Sequence, residues 1–154
     1  MAIQSTQYAG LVATPRVKPN PQDCGNSIAM FRATTPTTYA AQAVNELFDL
    51  FILPKSTLIL PFGVLENATN AASVTLAIGL RSLATGTVVS ATQLLAATAI
   101  TTAARTTINS GAAFTAGVGY ICTEDMIVYA TFAGATSTAN AQISVYLPVV
   151  TLSA

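Results

Sequence analysis

Charge is almost missing from this chain. Six basic and six acidic side chains serve 154 residues, so ionic groups form 8% of the sequence and cancel to a formal net charge of zero. Soluble domains ordinarily carry about a quarter charged residues, so something else must cover much of this surface. Ala and Thr, each about a sixth of the chain, are the available material. Threonine is β-branched and weakly polar, which suits the outward side of a pleated sheet. Zero net charge also removes the repulsion that keeps proteins apart. The composition therefore predicts a β-rich protein packed against neighbours, copies of itself included.

The same composition excludes much chemistry. With no His, the chain lacks Ser-His-Asp and Cys-His catalysis, His-containing zinc sites and His-ligated haem. Six cations spread over the whole length cannot neutralise many phosphates, which argues against a nucleic-acid partner. Glu46 and Asp49 lie three residues apart, on opposite sides of a strand, and make poor acid-base partners. Glu124 and Asp125 read as a solvated turn. No GxSxG, GxxxxGK[ST] or GxGxxG motif is present, since Gly117-Val118-Gly119 continues as Tyr-Ile-Cys. The carboxylates fit no calcium-loop spacing. The expectation is a protein with no catalytic residues, no cofactor and no metal.

The first residues have neither a basic region nor an apolar run of the secretory kind. Two long uncharged stretches, residues 82–104 and 126–154, are interrupted by Thr, Ser, Gln and Gly, so no membrane partner is expected. Cys24 and Cys122 are too far apart for a CxxC site; the sequence favours two buried thiols and leaves a bridge open. Asn67-Ala68-Thr69 matches a glycosylation acceptor, but without a secretory context it reads as a chance triplet.

At 154 residues the length fits one domain, able to bury roughly 70% of its unfolded surface. Residues 1–26 form an extended arm in this reading, because Pro15, Pro19 and Pro21 forbid a helix there. Residues 27–154 read as one all-β domain, an antiparallel β-sandwich of jelly-roll type with at most one short helix. Alternation is clearest over residues 73–81, where Val74, Leu76, Ile78 and Leu80 share one face. Thr85-Gly86 predicts a hairpin into Thr87-Val88-Val89. Residues 91–100 carry good helix formers and cluster Leu94, Leu95 and Ile100, which predicts the one helix. Residues 119–132 predict a second hairpin around Glu124-Asp125. Ile143, Val145, Leu147 and Val149 alternate in a last strand, which Pro148 assigns to a sheet edge.

Three segments together resemble the small virion proteins that decorate or cement the heads of tailed bacteriophages. They are Val44-Asn45-Glu46-Leu47-Phe48-Asp49-Leu50-Phe51-Ile52-Leu53-Pro54, then Thr57-Leu58-Ile59-Leu60, then Ser73-Val74-Thr75-Leu76-Ala77-Ile78-Gly79. The stretch Leu94-Leu95-Ala96-Ala97 and the aromatic segment 119–132 are similar to later elements of those proteins. The likeness covers roughly residues 40–150. Pro54-Lys55-Ser56 stands where the family's turn is Pro-Ala-Gly, and the proline-rich arm has no matching segment.

The resemblance implies a head decoration protein on the capsid exterior, assembled in the host cytoplasm, with the major capsid protein and its own copies, as homodimer or homotrimer, for partners. Position and residue type then single out Tyr8, Pro15, Arg16, Lys18, Pro19, Pro21 and Tyr39 as contact residues, with Arg32 near the basic pair Arg16 and Lys18. The alternatives are a phage tail or baseplate component and a carbohydrate-binding β-sandwich. The last is disfavoured by the absence of Trp.

Overall fold

Alternation of large apolar side chains with small or polar ones writes most of the architecture. The computed structural model of the chain describes residues 28–115 and 119–152. In chain order these hold β1 (Ile28–Thr34), β2 (Leu47–Leu53), β3 (Thr57–Ile59), β4 (Gly63–Asn67), β5 (Thr75–Ser82), β6 (Val88–Ala99) and β7 (Ala104–Ile108). A helical turn α1 (Ala112–Thr115) follows, then β8 (Tyr120–Ile121), β9 (Met126–Ala133) and β10 (Ile143–Thr151). All strand pairs are antiparallel, and they form two sheets packed face to face. The chain is an all-β sandwich.

The first sheet is organised on β10. One edge of β10 pairs with β1 from Ile28↔Val150 to Thr34↔Ser144. Along its other edge β4 and β3 lie end to end, at residues 143–146 and 149–151, with β7 flanking β4 and β8 flanking β3. The second sheet runs β2-β9-β5-β6. Between them lies the core: Ile143, Val145, Leu147 and Val149 from β10 meet Leu76, Ile78 and Leu80 from β5 and Val128 and Phe132 from β9. Each of those side chains is essentially inaccessible to water, which supplies the main favourable free energy of the fold.

Three sequence expectations are corrected here. The segment 91–100 is not a helix but most of β6, paired with β5 through Thr75↔Ala99 and Ile78↔Leu95. Helix propensity is a weak prior, and a ladder against the largely buried β5 outweighs it. The register slips between Ile78 and Leu80, where β6 uses extra residues. That bulged stretch crosses close to Gly79, where a Cβ would lie 2.5 Å from the Ser90 carbonyl oxygen. The helical turn falls instead at residues 112–115, where Gly111 N donates to Leu94 O at 3.1 Å and fastens it to β6.

Residues 119–132 do not form a hairpin. β8 belongs to the first sheet, because Cys122 N donates to Thr57 O and Ser56 N donates to Cys122 O, each at 2.8 Å, whereas β9 belongs to the second. The Glu124-Asp125 turn carries the chain from one sheet to the other. Pro148, finally, does not mark an edge. Its carbonyl accepts from Leu60 N at 3.1 Å, so its nitrogen faces the break between β3 and β4, where no ladder donor is required.

The hairpin from β5 into β6 is present, closed by Ser82 N donating to Thr87 O at 2.8 Å, with Gly86 at φ 71°. Gly134, at φ 83°, follows β9 so closely against the turn before β5 that a Cβ there would sit 1.9 Å from Ser73 O. Gly134→Ala is therefore expected to destabilise the protein by more than about 1 kcal/mol, from positive φ plus backbone collision. Chemical denaturation measures this, and an unchanged midpoint would contradict the packing described.

Candidate interaction surface

Five acidic side chains lie among the described residues, and each is committed to a partner within the fold. Glu46 Oε2 accepts from Ala43 N at 2.7 Å. Asp49 Oδ2 pairs with Arg81 Nη2 at 2.6 Å, joining β2 to β5 across β9. Glu66 pairs with Arg105 across β4 and β7. Glu124 Oε2 accepts from Ser82 Oγ at 2.9 Å, and Asp125 Oδ1 accepts from Lys55 N at 2.8 Å, so both acids brace the turn between the sheets. No group of three or more His, Cys, Asp or Glu gathers among these residues in a way that could hold a metal ion. The carboxylates hold strands and turns, a structural use with a modest stability gain at exposed positions.

Cys122 is buried, and burial, with Asp125 adding to it, pushes the thiol up to about 12. It is a small core residue in its chemistry. Cys24 lies outside the described residues. Asn67 is also buried, and its Nδ2 donates to Ala68 O at 2.9 Å, Ile100 O at 3.2 Å and Thr102 O at 2.7 Å. This amide ties β4 to the turn between β6 and β7 and is not presented for modification in the folded protein.

The feature without an internal use is the outward face of the first sheet. Directly opposed residues in antiparallel strands share a face, so the pairings place Ile28, Val150, Leu58 and Ile121 in one outward row across four strands. Met30 stands in the next row, opposite Pro148. Ile28, Met30 and Ile121 are half or more exposed, as is Phe62 in the turn joining β3 to β4. At the other end of this face the rows turn polar. Arg32 lies 5.5 Å over the ring of Tyr146, Thr34 shares a hydrogen bond with Ser144 at 3.0 Å, and Glu66 pairs with Arg105. A shallow depression of about 330 Å³, lined by Met30, Val64, Glu66, Arg105 and Tyr146, separates the two ends. An apolar patch rimmed by satisfied polar groups is the anatomy of a protein contact.

Of the contact residues read from the sequence, Tyr8, Pro15, Arg16, Lys18, Pro19 and Pro21 lie outside the described residues. Tyr39 lies between β1 and β2 and is half-buried. Its hydroxyl donates to Ala141 O, its backbone N donates to Asn140 Oδ1 at 2.7 Å, and burial raises its phenol above the ordinary 10. Arg32 is held over Tyr146 on the outward face. The sequence reading did not single out Ile28, Met30, Leu58, Phe62 or Ile121. The alternation of Ile28 and Met30 is visible in the sequence, but both faces of that run are apolar, so it does not say which side meets water.

No family model and no curated protein matches the sequence. Solved structures do share the fold. A chain in the capsid of Ralstonia phage GP4 superposes with a TM-score of 0.67 at 18% identity, covering 91% of this chain and 94% of that one. A chain in the capsid asymmetric unit of cyanophage Pam1 gives a TM-score of 0.55 at 15% identity, covering 82% and 86%. A chain in the acid-stable capsid of Helicobacter pylori bacteriophage KHP30 gives 0.55 at 15%, covering 83% and 91%. The coverage is high on both sides, so each matched chain is itself a sandwich of about this size.

The position of Cys122 predicts an alkaline limit to stability. Its thiol has an ordinary value of 9.0 and a folded value of about 12, so between these the folded protein keeps a proton that the unfolded chain has lost. Stability falls as pH rises through that window. Denaturation midpoints measured across it are expected to decline, and Cys122→Ala is expected to remove that component of the slope. An identical slope in the variant would contradict the assignment.

Proposed function

We propose that this chain is a structural virion protein of a tailed phage, one that decorates the outside of the head and cements neighbouring major capsid subunits. The observation that carries the reading is the fold shared, nearly end to end, with chains found in three phage capsids. Coverage of both partners supports a small protein standing beside the shell subunits, as a cement protein does. The chemistry is consistent with it. Every described carboxylate is used to brace the fold, while the outward face of the first sheet leaves half-buried Leu58 and exposed Ile121, and the turn between β3 and β4 leaves exposed Phe62, for a partner.

Such a protein works by burial alone. Desolvating a Lys or Glu at an interface centre costs free energy, whereas Ile, Leu, Thr and Ala carry no such penalty, so a chain with 8% charge is well suited to the task. A stable contact covers on the order of 1,200 Å² or more, and repetition over a symmetric shell adds avidity to each individual contact. Residues 1–26, read from the sequence as an arm, lie outside the described residues.

The test is addition of the purified protein to undecorated heads of its phage. Saturable, stoichiometric binding and a higher temperature of head disruption are expected. Ile121→Glu combined with Leu58→Glu is expected to weaken binding by roughly tenfold or more, since two buried carboxylates would lack partners. Failure to bind heads, or binding unaffected by an otherwise folded double variant, would contradict the role or the surface respectively.

A further inference from the structure

The edge of β1 has the form of a strand that expects another. Its sequence, Ile-Ala-Met-Phe-Arg-Ala-Thr, has no Pro, Gly or Lys, and its pairing with β10 runs through seven residues without a register slip. The other outer strands are protected in the ways natural sheets protect their edges. β2 carries a slip between Asp49 and Phe51, β6 slips three times, β8 is two residues long, and β7 is short and carries the exposed, ion-paired Arg105. Among the described residues, nothing pairs with the outer edge of β1.

The backbone groups on that edge can be named. Thr35 N donates to Ile143 O at 2.9 Å, so by alternation residues 29, 31 and 33 also turn their backbone toward β10. Ile28, Met30, Arg32 and Thr34 therefore turn their N–H and C=O outward. Pro148, which faces Met30, directs its own backbone to Leu60 on the opposite side, in agreement with this assignment. Ile28 and Met30 also leave 59% and 60% of their surface exposed.

We propose that the occupant of this edge is β1 of a second copy, paired antiparallel about a two-fold axis near Phe31, so that the first sheets of two protomers form one continuous sheet. The sequence is complementary to itself in that arrangement. Ile28 faces Thr34 of the other copy, and Met30 faces Arg32 across the axis. Arg32 never opposes Arg32, and its guanidinium is already drawn over Tyr146 on its own sheet, 5.5 Å from the ring, leaving the edge itself free of like charge. The net charge of zero adds no long-range repulsion between copies. β2 enlarges the contact. The rings of Phe31 and Phe51 lie 5.6 Å apart, so the edges of both sheets adjoin on this flank, where Leu47 and Ile52 are about half exposed. The proposal goes beyond the capsid reading and stands or falls without it, since the contact forms between free copies.

Sedimentation of the full chain over a concentration series, without phage heads, provides the test. A reversible monomer-dimer equilibrium is expected. Met30→Pro removes an N–H that points away from β10, so it leaves the internal ladder intact and is expected to abolish the dimer; Ile28→Lys is expected to weaken it roughly tenfold or more. Amide exchange on the unaltered chain gives an independent reading. The Met30 and Arg32 amides are expected to exchange roughly tenfold more slowly in concentrated than in dilute protein. A monomer at every concentration, a trimer, a dimer that survives both substitutions, or Met30 and Arg32 amides protected equally at all concentrations would each overturn the proposal. The last result would mean that the edge is covered within one chain.

Discussion

Strand β10 is the element on which the rest of the sandwich is hung. It is bonded along both edges, to β1 on one side and to β3 and β4 on the other, and its inward residues Ile143, Val145, Leu147 and Val149 are buried against the second sheet. Removing β10 would leave β1 without its partner and break the link between the β4-β7 and β3-β8 pairs. The strand tolerates Pro148 because its two neighbours on that side meet there, at the turn through Pro61 and Phe62, and the missing donor falls at the junction. An apparent defect in the ladder thus marks the point where one long strand is replaced by two short ones.

Scarcity of charge shapes what surrounds that strand. Four of the five described acids join separate elements, Asp49 with Arg81 across the second sheet, Glu66 with Arg105 on the first, and Glu124 and Asp125 at the crossing between them, while Glu46 holds its own turn. With ionic groups assigned to joints, the outward face of the first sheet is left to aliphatic and aromatic side chains over much of its area. A freely dispersed protein would ordinarily place Lys or Glu there. In the two proposals that face and the adjoining β1 edge have different partners, the face a broad surface beneath or beside it, the edge a strand alongside it.

Much of this was legible in the amino-acid sequence, for an identifiable reason. Where large apolar side chains alternate with small or polar ones, as in residues 75–81 and 143–149, the period of two is written in the side chains and the strands emerge at the right places. The all-β sandwich follows from those runs. The failures have equally specific causes. Residues 91–100 read as a helix because Ala, Leu and Gln favour one locally, and the bulge that lets Leu94 and Leu95 both point inward is a property of the pairing with β5. The segment 119–132 read as a hairpin because its two halves flank a polar turn, yet the hydrogen bonds of Cys122 to Ser56 and Thr57 bind the first half to the other sheet. The outward apolar row was hidden for a related reason. Ile28, Leu58, Ile121 and Val150 come from four distant segments, and only the registers bring them into line.

The proposed role is attachment, with the outward face of the first sheet as the attached surface. Image reconstruction of the intact phage particle, at a resolution that traces side chains, tests it most directly. This chain is expected on the exterior of the head, with Leu58, Phe62 and Ile121 against a capsid subunit. A particle in which the chain is absent from the head, or bound there with that face turned to solvent, would contradict it.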